Sequence, residues 1–299
     1  MKANLIPLPQ CPVCKKENRV LKYEIQDSKV FECKTCQLKY LDPCLAPDAM
    51  EQAYESHETL SQFHDFHEGY YEYGNLSEKS QTRTEFERGL QLLERHLGFA
   101  PGKKILDVGF GNGFFLALAK QRGWQVDVVD TSAVNATNAK RKYGLILHTG
   151  KLGNLNVPEG SYDAISFWDV IEHFSAPHVP LAQAGKLLKE GGYLLIGVPH
   201  DRSFLMYLAS LLYLLSGSKV SVGVRKIYFL EHVAYYFKKP LESLMNQNGF
   251  QLKGIFYSST DLRKYKLPFA EKLIAGCILA FGKLFGAENR MVAIFQKTL

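Results

Sequence analysis

The chain has 299 residues, of which 46% are hydrophobic and 22% charged, and its formal net charge at pH 7 is +6. This balance is ordinary for a globular protein with a full core and excludes an intrinsically disordered chain. The longest apolar stretch, SFLMYLASLLYLL at 203–215, falls short of the roughly 20 residues that span a bilayer, which excludes a transmembrane helix.

The excess of positive charge lies in the last third of the chain. Residues 200–299 contain 14 Lys and Arg against 6 Asp and Glu, whereas residues 1–199 contain 22 against 24. Such a distribution fits either scattered solvated lysines or a face that meets an anionic substrate or a membrane surface. The start, MKANLIPLPQ, has no signal-like apolar stretch, so we expect a cytoplasmic protein, with peripheral contact at the inner membrane surface as a further expectation.

Residues 1–46 contain two CxxC pairs, CPVC and CKTC. Their spacing, C-x2-C-x18-C-x2-C, is typical of a closed structural zinc site, in which protein thiolates occupy all four positions. Unligated cysteines are the alternative; a redox pair is disfavoured because neither CxxC opens a helix in a βαβ pattern. We therefore predict a zinc-ribbon-like segment whose Zn²⁺ ligands are Cys11, Cys14, Cys33 and Cys36.

Residues 47–100 form a linker that is rich in Glu, Tyr and His and ends in a helical pattern. The stretch TRTEFERGLQLLERHL places Phe86, Leu90, Leu93 and Leu97 on one helix face. Gly98 follows as the expected end of the helix.

From residue 101 to 299, short apolar runs alternate with helical segments, which predicts an α/β domain. The expected fold is a doubly wound, mostly parallel, seven-stranded sheet, interrupted near 200–232 by an apolar insertion. The predicted strands cover 103–108, 124–130, 145–148, 162–170, 193–199, 251–259 and 289–297. The predicted helices between them cover 113–123, 132–144, 179–192, 239–250 and 267–286.

The loop after the first of these strands reads ILDVGFGNGFF, with Gly109, Gly111 and Gly113 at alternating positions. The dinucleotide fingerprint G-x-G-x-x-G would place its third glycine at position 114, which is Phe114. The loop therefore permits a tight turn and close backbone approach, but its spacing does not fit a pyrophosphate.

Two carboxylates flank this loop. Asp107 precedes it directly and would repel a pyrophosphate but attract an ammonium group. Asp130 ends the second strand, 21 residues after Gly109, where an acid can accept hydrogen bonds from both hydroxyls of a ribose. A ligand with a ribose, an adenine and an amino group but no phosphate is S-adenosylmethionine (SAM).

The LDVGxGxG pattern followed by an acid resembles the Rossmann-like class I SAM-dependent methyltransferases. The resemblance covers about 105–200 and includes GSYDAISFWDVIEHF and LLKEGGYLLIGVPH. It implies a cofactor site with the methionine end at the glycine loop, the ribose at the second acid and the adenine after the third strand, where the acid common in the family is missing. The implied residues are Asp107, Gly109, Gly111, Gly113, Asp130, Lys151, Leu152 and Asp169.

The cysteine pairs followed by a Tyr-rich stretch resemble the N-terminal part of bacterial methyltransferases, including sugar C-methyltransferases. In those relatives an aromatic residue closes over the cofactor, which makes Tyr70 and Tyr71 candidates; packing of the linker on the sheet edge is their alternative role.

Three histidines are candidates for the base that removes a proton during methyl transfer. His173, in WDVIEHF, occupies a position that resembles the EH of ubiquinone-biosynthesis O-methyltransferases. His200, in GVPH, follows the fifth strand, and His232, in FLEHVAYYF, lies further along, where the chain returns to the sheet. Each has a structural alternative, a hydrogen bond to a loop carbonyl.

Together these patterns predict a SAM-dependent methyltransferase that acts on an O or C atom of a small-molecule, sugar or lipid-like acceptor. A non-catalytic SAM-binding adaptor and a nucleic-acid methyltransferase are the alternatives. The second is disfavoured because FWDV stands where NPPY or DPPY would follow the fourth strand.

Two apolar segments, 203–215 and 268–285, lie after the fifth strand and between the last two strands, and the first of them is expected to roof the acceptor site. Nearby cations would then meet an anionic head group or membrane surface, and simple core packing is the alternative. These cations are Arg225, Lys226, Lys238 and Lys239.

Overall fold

The computed structural model describes residues 4–25, 27–55, 80–98, 101–111, 113–132, 135, 140, 141, 143–145, 147–265 and 267–298. Its strands are β1 (Leu5–Ile6), β2 (Arg19–Ile25), β3 (Ser28–Cys33), β4 (Lys39–Asp42), β5 (Cys44–Leu45), β6 (Lys104–Val108), β7 (Gln125–Asp130), β8 (Leu147–Thr149), β9 (Tyr162–Trp168), β10 (Leu188–Pro199), β11 (Ala234–Tyr235), β12 (Phe250–Ser258) and β13 (Arg290–Lys297). Its helices are α1 (Pro47–Glu55), α2 (Gln81–Leu97), α3 (Phe114–Gln121), α4 (His178–Leu187), α5 (Phe204–Leu215), α6 (Val222–Ile227), α7 (Lys238–Gln247) and α8 (Phe269–Leu284).

The central sheet has seven strands in the order β12-β13-β10-β9-β6-β7-β8. The five strands from β10 to β8 are parallel to their neighbours, whereas β13 is antiparallel to both β10 and β12. Strands β9 and β10 are nearly continuous runs of buried residues, as expected where helices cover both faces of a sheet. The predicted α/β fold with a doubly wound, mostly parallel, seven-stranded sheet is confirmed.

Each face of the sheet packs into a separate apolar core. Successive side chains of a strand point to opposite faces, so Leu194 and Ile196 of β10 pack in one core and Leu195 in the other. The first core also receives side chains from α4 and α7, and the second receives side chains from α2 and α3.

The predicted amphipathic helix of the linker is α2. The Ser80 hydroxyl caps it by accepting a hydrogen bond of 3.0 Å from the Arg83 N–H. Leu90 and Leu93 are fully buried against the sheet, and the helix ends at Gly98, whose φ is 73°. The helix, its buried face and its end therefore agree with the sequence pattern.

The helix expected over 179–192 is shorter than predicted. Helix α4 ends at Leu187, and the KEGG stretch that follows belongs to β10. Gly191 adopts φ 70°, and a Cβ at Gly192 would lie 2.9 Å from the Lys189 carbonyl oxygen. The pairing of β10 with β9 also shifts register between Leu188 and Tyr193. The two glycines thus make an irregular strand entry rather than a last helical turn, since glycine favours neither helix propagation nor a regular ladder.

A second sheet joins the N-terminal segment to the part of the chain that directly follows the apolar insertion. Four antiparallel strands lie in the order β11-β4-β3-β2, and β11 begins two residues after the insertion. Tyr23 and Leu41 of the N-terminal segment pack in one apolar core with Met206 and Tyr228 of the insertion. No helix among the described residues combines the length and the apolar character needed to cross a membrane.

A buried ion pair also joins the two segments. The Lys39 ammonium lies 3.1 Å from Asp201 Oδ1 and 2.9 Å from the Tyr228 hydroxyl, and the Asp201 side chain is fully buried. Tyr228 donates a further hydrogen bond of 2.8 Å to the same carboxylate. Because the pair is desolvated, removal of one member leaves an uncompensated charge.

We expect Lys39→Met to lower the free energy of unfolding by about 3–5 kcal/mol, because the fully buried Asp201 carboxyl would lose its cation. The control is Lys29→Met on the neighbouring strand, which removes an exposed pair with Glu24 at 3.8 Å and should cost less than about 1 kcal/mol. Urea denaturation of both variants measures the difference, and equal losses would contradict the role of the buried pair.

Candidate functional site

The glycine loop lies between β6 and α3 and has little room for side chains. Gly109 and Gly113 adopt φ of 85° and 73°, in the left-handed region that favours glycine. A Cβ at Gly109 would lie 2.7 Å from Val170 Cγ2, and one at Gly113 would lie 2.4 Å from the Phe110 ring. At Gly111, whose φ is 52°, a Cβ would meet no atom of the described residues within 4 Å, so the backbone there is open with respect to those residues.

The Asp130 carboxylate supports this loop from the end of β7. It accepts hydrogen bonds of 2.7 Å from both the Phe110 and Ser132 backbone N–H groups and one of 3.0 Å from the Asn135 amide. A carboxylate offers about four lone-pair sites, so capacity remains for a further donor. Asp130 therefore fixes the loop and can still accept a ligand hydroxyl.

The Asp107 carboxyl lies on β6 directly before the loop and is 2% exposed. Ser166 of the adjacent β9 donates a hydrogen bond of 2.6 Å to Asp107 Oδ1. Burial raises the pKa of Asp107 well above its ordinary value, and the nearby Asp130 charge raises it further. Such a carboxyl gains from the approach of a cationic group.

Asp169 follows β9 in a strained conformation, with φ 54°. Its backbone N–H donates to the Gly197 carbonyl at 2.9 Å, and its Oδ1 lies 2.9 Å from Arg290 Nη1. The same guanidinium lies 2.8 Å from Glu85 of α2. Arg290 thus holds the loop after β9 in place from the last strand of the sheet.

His173 and His232 lie together, with ring centroids 4.8 Å apart. His173 Nδ1 lies 2.6 Å from the Glu231 carbonyl oxygen, which only accepts, so Nδ1 carries a hydrogen. Burial lowers the pKa of His173 and so favours its neutral ring.

Glu172 completes this cluster. Its Oε1 lies 4.0 Å from His232 Nε2, and one polar atom from each of Glu172, His173 and His232 lies within 4.8 Å of the others. Neither Glu172 oxygen accepts a hydrogen bond from a residue that the structure describes. Burial raises the pKa of this carboxyl well above its ordinary value, and the Asp169 charge raises it further.

His200 contacts a different set of residues. Its Nδ1 lies 2.9 Å from the Glu288 carbonyl oxygen, and its ring centroid lies 4.8 Å from that of Tyr257. Burial lowers its pKa as well. These contacts correspond to the structural alternative for this histidine.

The predicted adenine-side residues follow β8. Leu152 is buried, whereas Lys151 is 62% exposed and its Nζ lies 2.7 Å from Glu51 of α1. Tyr70 and Tyr71 lie outside the described residues.

The four predicted zinc ligands converge in the N-terminal segment. The sulfur atoms of Cys11 and Cys36 are 3.5 Å apart, those of Cys14 and Cys33 are 3.4 Å apart, and all four lie within 4.8 Å of one another. Zinc–sulfur bonds of about 2.3 Å in a tetrahedron separate the sulfurs by roughly 3.8 Å, so this arrangement fits a four-thiolate metal site.

Sequence patterns did not indicate three charged residues around the site: Glu85, Glu172 and Arg290. Glu172 carried a local signal, as an acid beside His173 in an apolar loop. Arg290 opens the apolar strand RMVAIF, which is a weaker signal. Its link to Glu85 spans 205 positions in the sequence, so no local spacing could show it.

Comparisons with known proteins find methyltransferases. The profile of a family described as a methyltransferase domain matches residues 79–253. A ubiquinone biosynthesis O-methyltransferase from Nitrosococcus oceani is 30% identical over 109 residues, which are 34% of this chain and 46% of that protein. The chain therefore spans less than half the length of this curated relative in the alignment.

Solved structures show the same fold at low identity. The 1,6-didemethyltoxoflavin-N1-methyltransferase of Burkholderia thailandensis superposes with a TM-score of 0.53 at 16% identity, covering 93% of this chain and 99% of that one. A SAM-dependent methyltransferase of Thermotoga maritima gives 0.52 at 21% identity, covering 83% and 100%.

We expect Asp107→Asn to stabilise the protein increasingly as the pH rises. The raised pKa of Asp107 means that the folded state binds its proton more tightly than the unfolded state, whose Asp pKa is about 3.9. The stabilisation that protonated Asp107 contributes is thus fully present at a pH below the pKa of the unfolded state. It is lost as the pH rises through the pKa of the folded state. Melting temperatures of both proteins from pH 4 to 8 measure the effect.

Asp163→Asn is the control with the opposite sign. Although burial opposes it, the Lys104 N–H and the Lys189 ammonium lower the pKa of Asp163. Its replacement should therefore destabilise the protein at neutral pH and matter less in acid. A difference between Asp107→Asn and wild type that does not change with pH would contradict the prediction.

Proposed function

Because this chain belongs to the methyltransferase-domain family, we propose that it transfers a methyl group from SAM to a small-molecule acceptor. The observation that carries the proposal is the meeting of Asp107, Asp130 and the open backbone at Gly111 at one sheet edge. The Burkholderia thailandensis neighbour binds S-adenosylhomocysteine, and the Nitrosococcus oceani relative is an O-methyltransferase, which supports the same chemistry here.

The described residues fit this cofactor. Asp107 would take the ammonium group, because a cation offsets the cost of ionising a buried carboxyl. Asp130 would accept hydrogen bonds from the ribose hydroxyls while it holds the Phe110 N–H. The glycine loop and Asp169 would border the methionine end, Lys151 and Leu152 would border the adenine, and Tyr70 and Tyr71 would close over the cofactor.

Methyl transfer from a sulfonium needs an aligned acceptor and, for a hydroxyl or carbon acid, a group that removes a proton. We assign this role to the pair of His173 and His232, because burial favours the neutral ring of His173 and the two ring centroids lie 4.8 Å apart. His200 lies against Tyr257 rather than beside a second histidine and is the weaker candidate.

The accepting atom is an oxygen or a carbon, and the curated relative favours oxygen. We propose a sugar or lipid-like acceptor of amphipathic character, because the half-buried apolar side chains of α5 lie beyond the end of β10. We further propose that the protein works in the cytoplasm, with peripheral contact at the inner membrane surface.

A transfer assay tests the function. Radiolabelled SAM and purified protein are incubated with cell extract separated into small-molecule, lipid, protein and nucleic-acid fractions, and we expect label in the first or second. Asp130→Asn should raise the SAM concentration for half-maximal transfer about tenfold or more, the loss of a contact of about 1.5–3 kcal/mol.

The control is Asp127→Asn, an acid on the same strand whose partners are Lys104 and Tyr162. It should leave the SAM dependence unchanged. Binding of SAM without transfer to any fraction would instead indicate an adaptor, and label in nucleic acid would overturn the proposed acceptor class.

We also propose that the zinc-ribbon-like segment 1–46 holds one structural Zn²⁺ on Cys11, Cys14, Cys33 and Cys36. The ion would hold the two CxxC pairs together. The Val13 carbonyl, between the first two cysteines, accepts a hydrogen bond of 2.9 Å from His178, so the metal site would also be held against α4. With four protein ligands the site leaves no position for a reacting water, which favours a structural role.

Elemental analysis of purified protein should therefore return about one zinc per chain. Cys33→Ser should lose the metal and lower the melting temperature, because metal binding contributes directly to folding. Cys277→Ser, at an exposed cysteine of α8, should change neither. Full zinc occupancy in Cys33→Ser would remove the proposed site.

A further inference from the structure

Helix α8 presents an apolar face to solvent. Four large side chains on this face are between 48% and 75% exposed, and their spacing places them along one side of the helix. They are Leu273, Ile274, Phe281 and Leu284. Only two of the described residues of α8 are buried, namely Leu279 and Gly282.

Helix α5 continues this surface. The rings of Phe204 and Phe281 lie 4.9 Å apart, so the two helices pack side by side. Beyond this contact, Tyr207, Leu214 and Leu215 of α5 are 62%, 68% and 77% exposed. We call the exposed apolar side chains of α5 and α8 the two-helix face.

This arrangement reverses the usual one, in which an amphipathic helix turns its apolar side to the core. Single exposed apolar residues are normal, but a contiguous apolar surface usually marks a binding site. Exposure of the two-helix face to water is unfavourable in proportion to its apolar area. A low-polarity surface that covers this face would therefore be bound favourably.

The charges around the face select the kind of surface. Residues 202–227 contain four basic residues and no acidic one, and residues 268–286 contain two basic residues and one acidic one. The single acid, Glu271, is paired with Lys226 at 2.8 Å. The long side chains of Lys272 and Lys283 can extend along the face and place their ammonium groups among anionic head groups.

We propose that the two-helix face lies on an anionic phospholipid membrane, with its apolar side chains at the level of the acyl-chain boundary. A helix of 16 residues is about 24 Å long and would lie in the membrane plane. This contact does not depend on methyl transfer. If the proposed activity is correct, it would in addition bring the site close to an amphipathic acceptor dissolved in the bilayer.

Vesicle flotation of the purified full-length chain, without SAM, tests the contact. We expect the protein to float with vesicles that contain phosphatidylglycerol and to bind at least tenfold less to pure phosphatidylcholine. Raising the salt from 0.1 M to 1 M should weaken binding, because the Debye length falls from about 10 Å to about 3 Å.

Two sets of variants separate the apolar and the electrostatic parts. Leu273→Glu combined with Leu284→Glu should lower binding more than tenfold, and Lys272→Glu combined with Lys283→Glu should lower it several-fold. The matched control is Val179→Glu on α4, at a side chain that is 57% exposed but remote in sequence from both helices. It should leave binding unchanged, and melting temperatures should confirm that all variants fold.

Three outcomes would overturn the proposal. Protein that stays with the soluble fraction at low salt does not dock on anionic lipid. Equal losses in Val179→Glu and in the two-helix variants would show that the face has no special role. Dimers of the wild type in sedimentation velocity that Leu273→Glu dissociates, without any vesicle binding, would show instead that a second copy covers the face.

Discussion

The parallel pairing of β6 with β7 and β9 is the constraint on which the candidate site depends. Asp107 of β6 is paired in register with Val128 on one side and Ser166 on the other, so the ends of these strands meet at one edge of the sheet. The glycine loop, Asp130 and Asp169 all follow from this alignment, because each leaves a strand at the same edge.

This convergence places three carboxyl groups near one another, and the protein compensates each in a different way. Asp107 is buried beside Ser166 and retains a proton more readily, Asp130 accepts backbone N–H groups, and Asp169 contacts Arg290. Because the last two carboxyl groups have fixed partners, Asp107 is the one that we propose for a cationic ligand group.

The N-terminal segment and the apolar insertion are held together by contacts that both of them supply. The chain directly after the insertion contributes β11 to the N-terminal sheet, and the buried Lys39–Asp201 pair joins the insertion itself to the N-terminal segment. Because the inner side of α5 is used in this shared core, its remaining apolar side chains turn outward beside α8. The two-helix face is therefore a consequence of how the insertion is fastened.

The sequence by itself determined the α/β fold, α2 with its end at Gly98, and the convergence of the cysteines, because periodicity, glycine positions and C-x2-C spacing are local signals. Only the tertiary structure decided that α4 ends at Leu187, that His173 and His232 meet while His200 does not join them, and that Arg290 links Glu85 to Asp169. These features arise from contacts between residues far apart in the chain, whose energies depend on burial and on distances that no local pattern encodes.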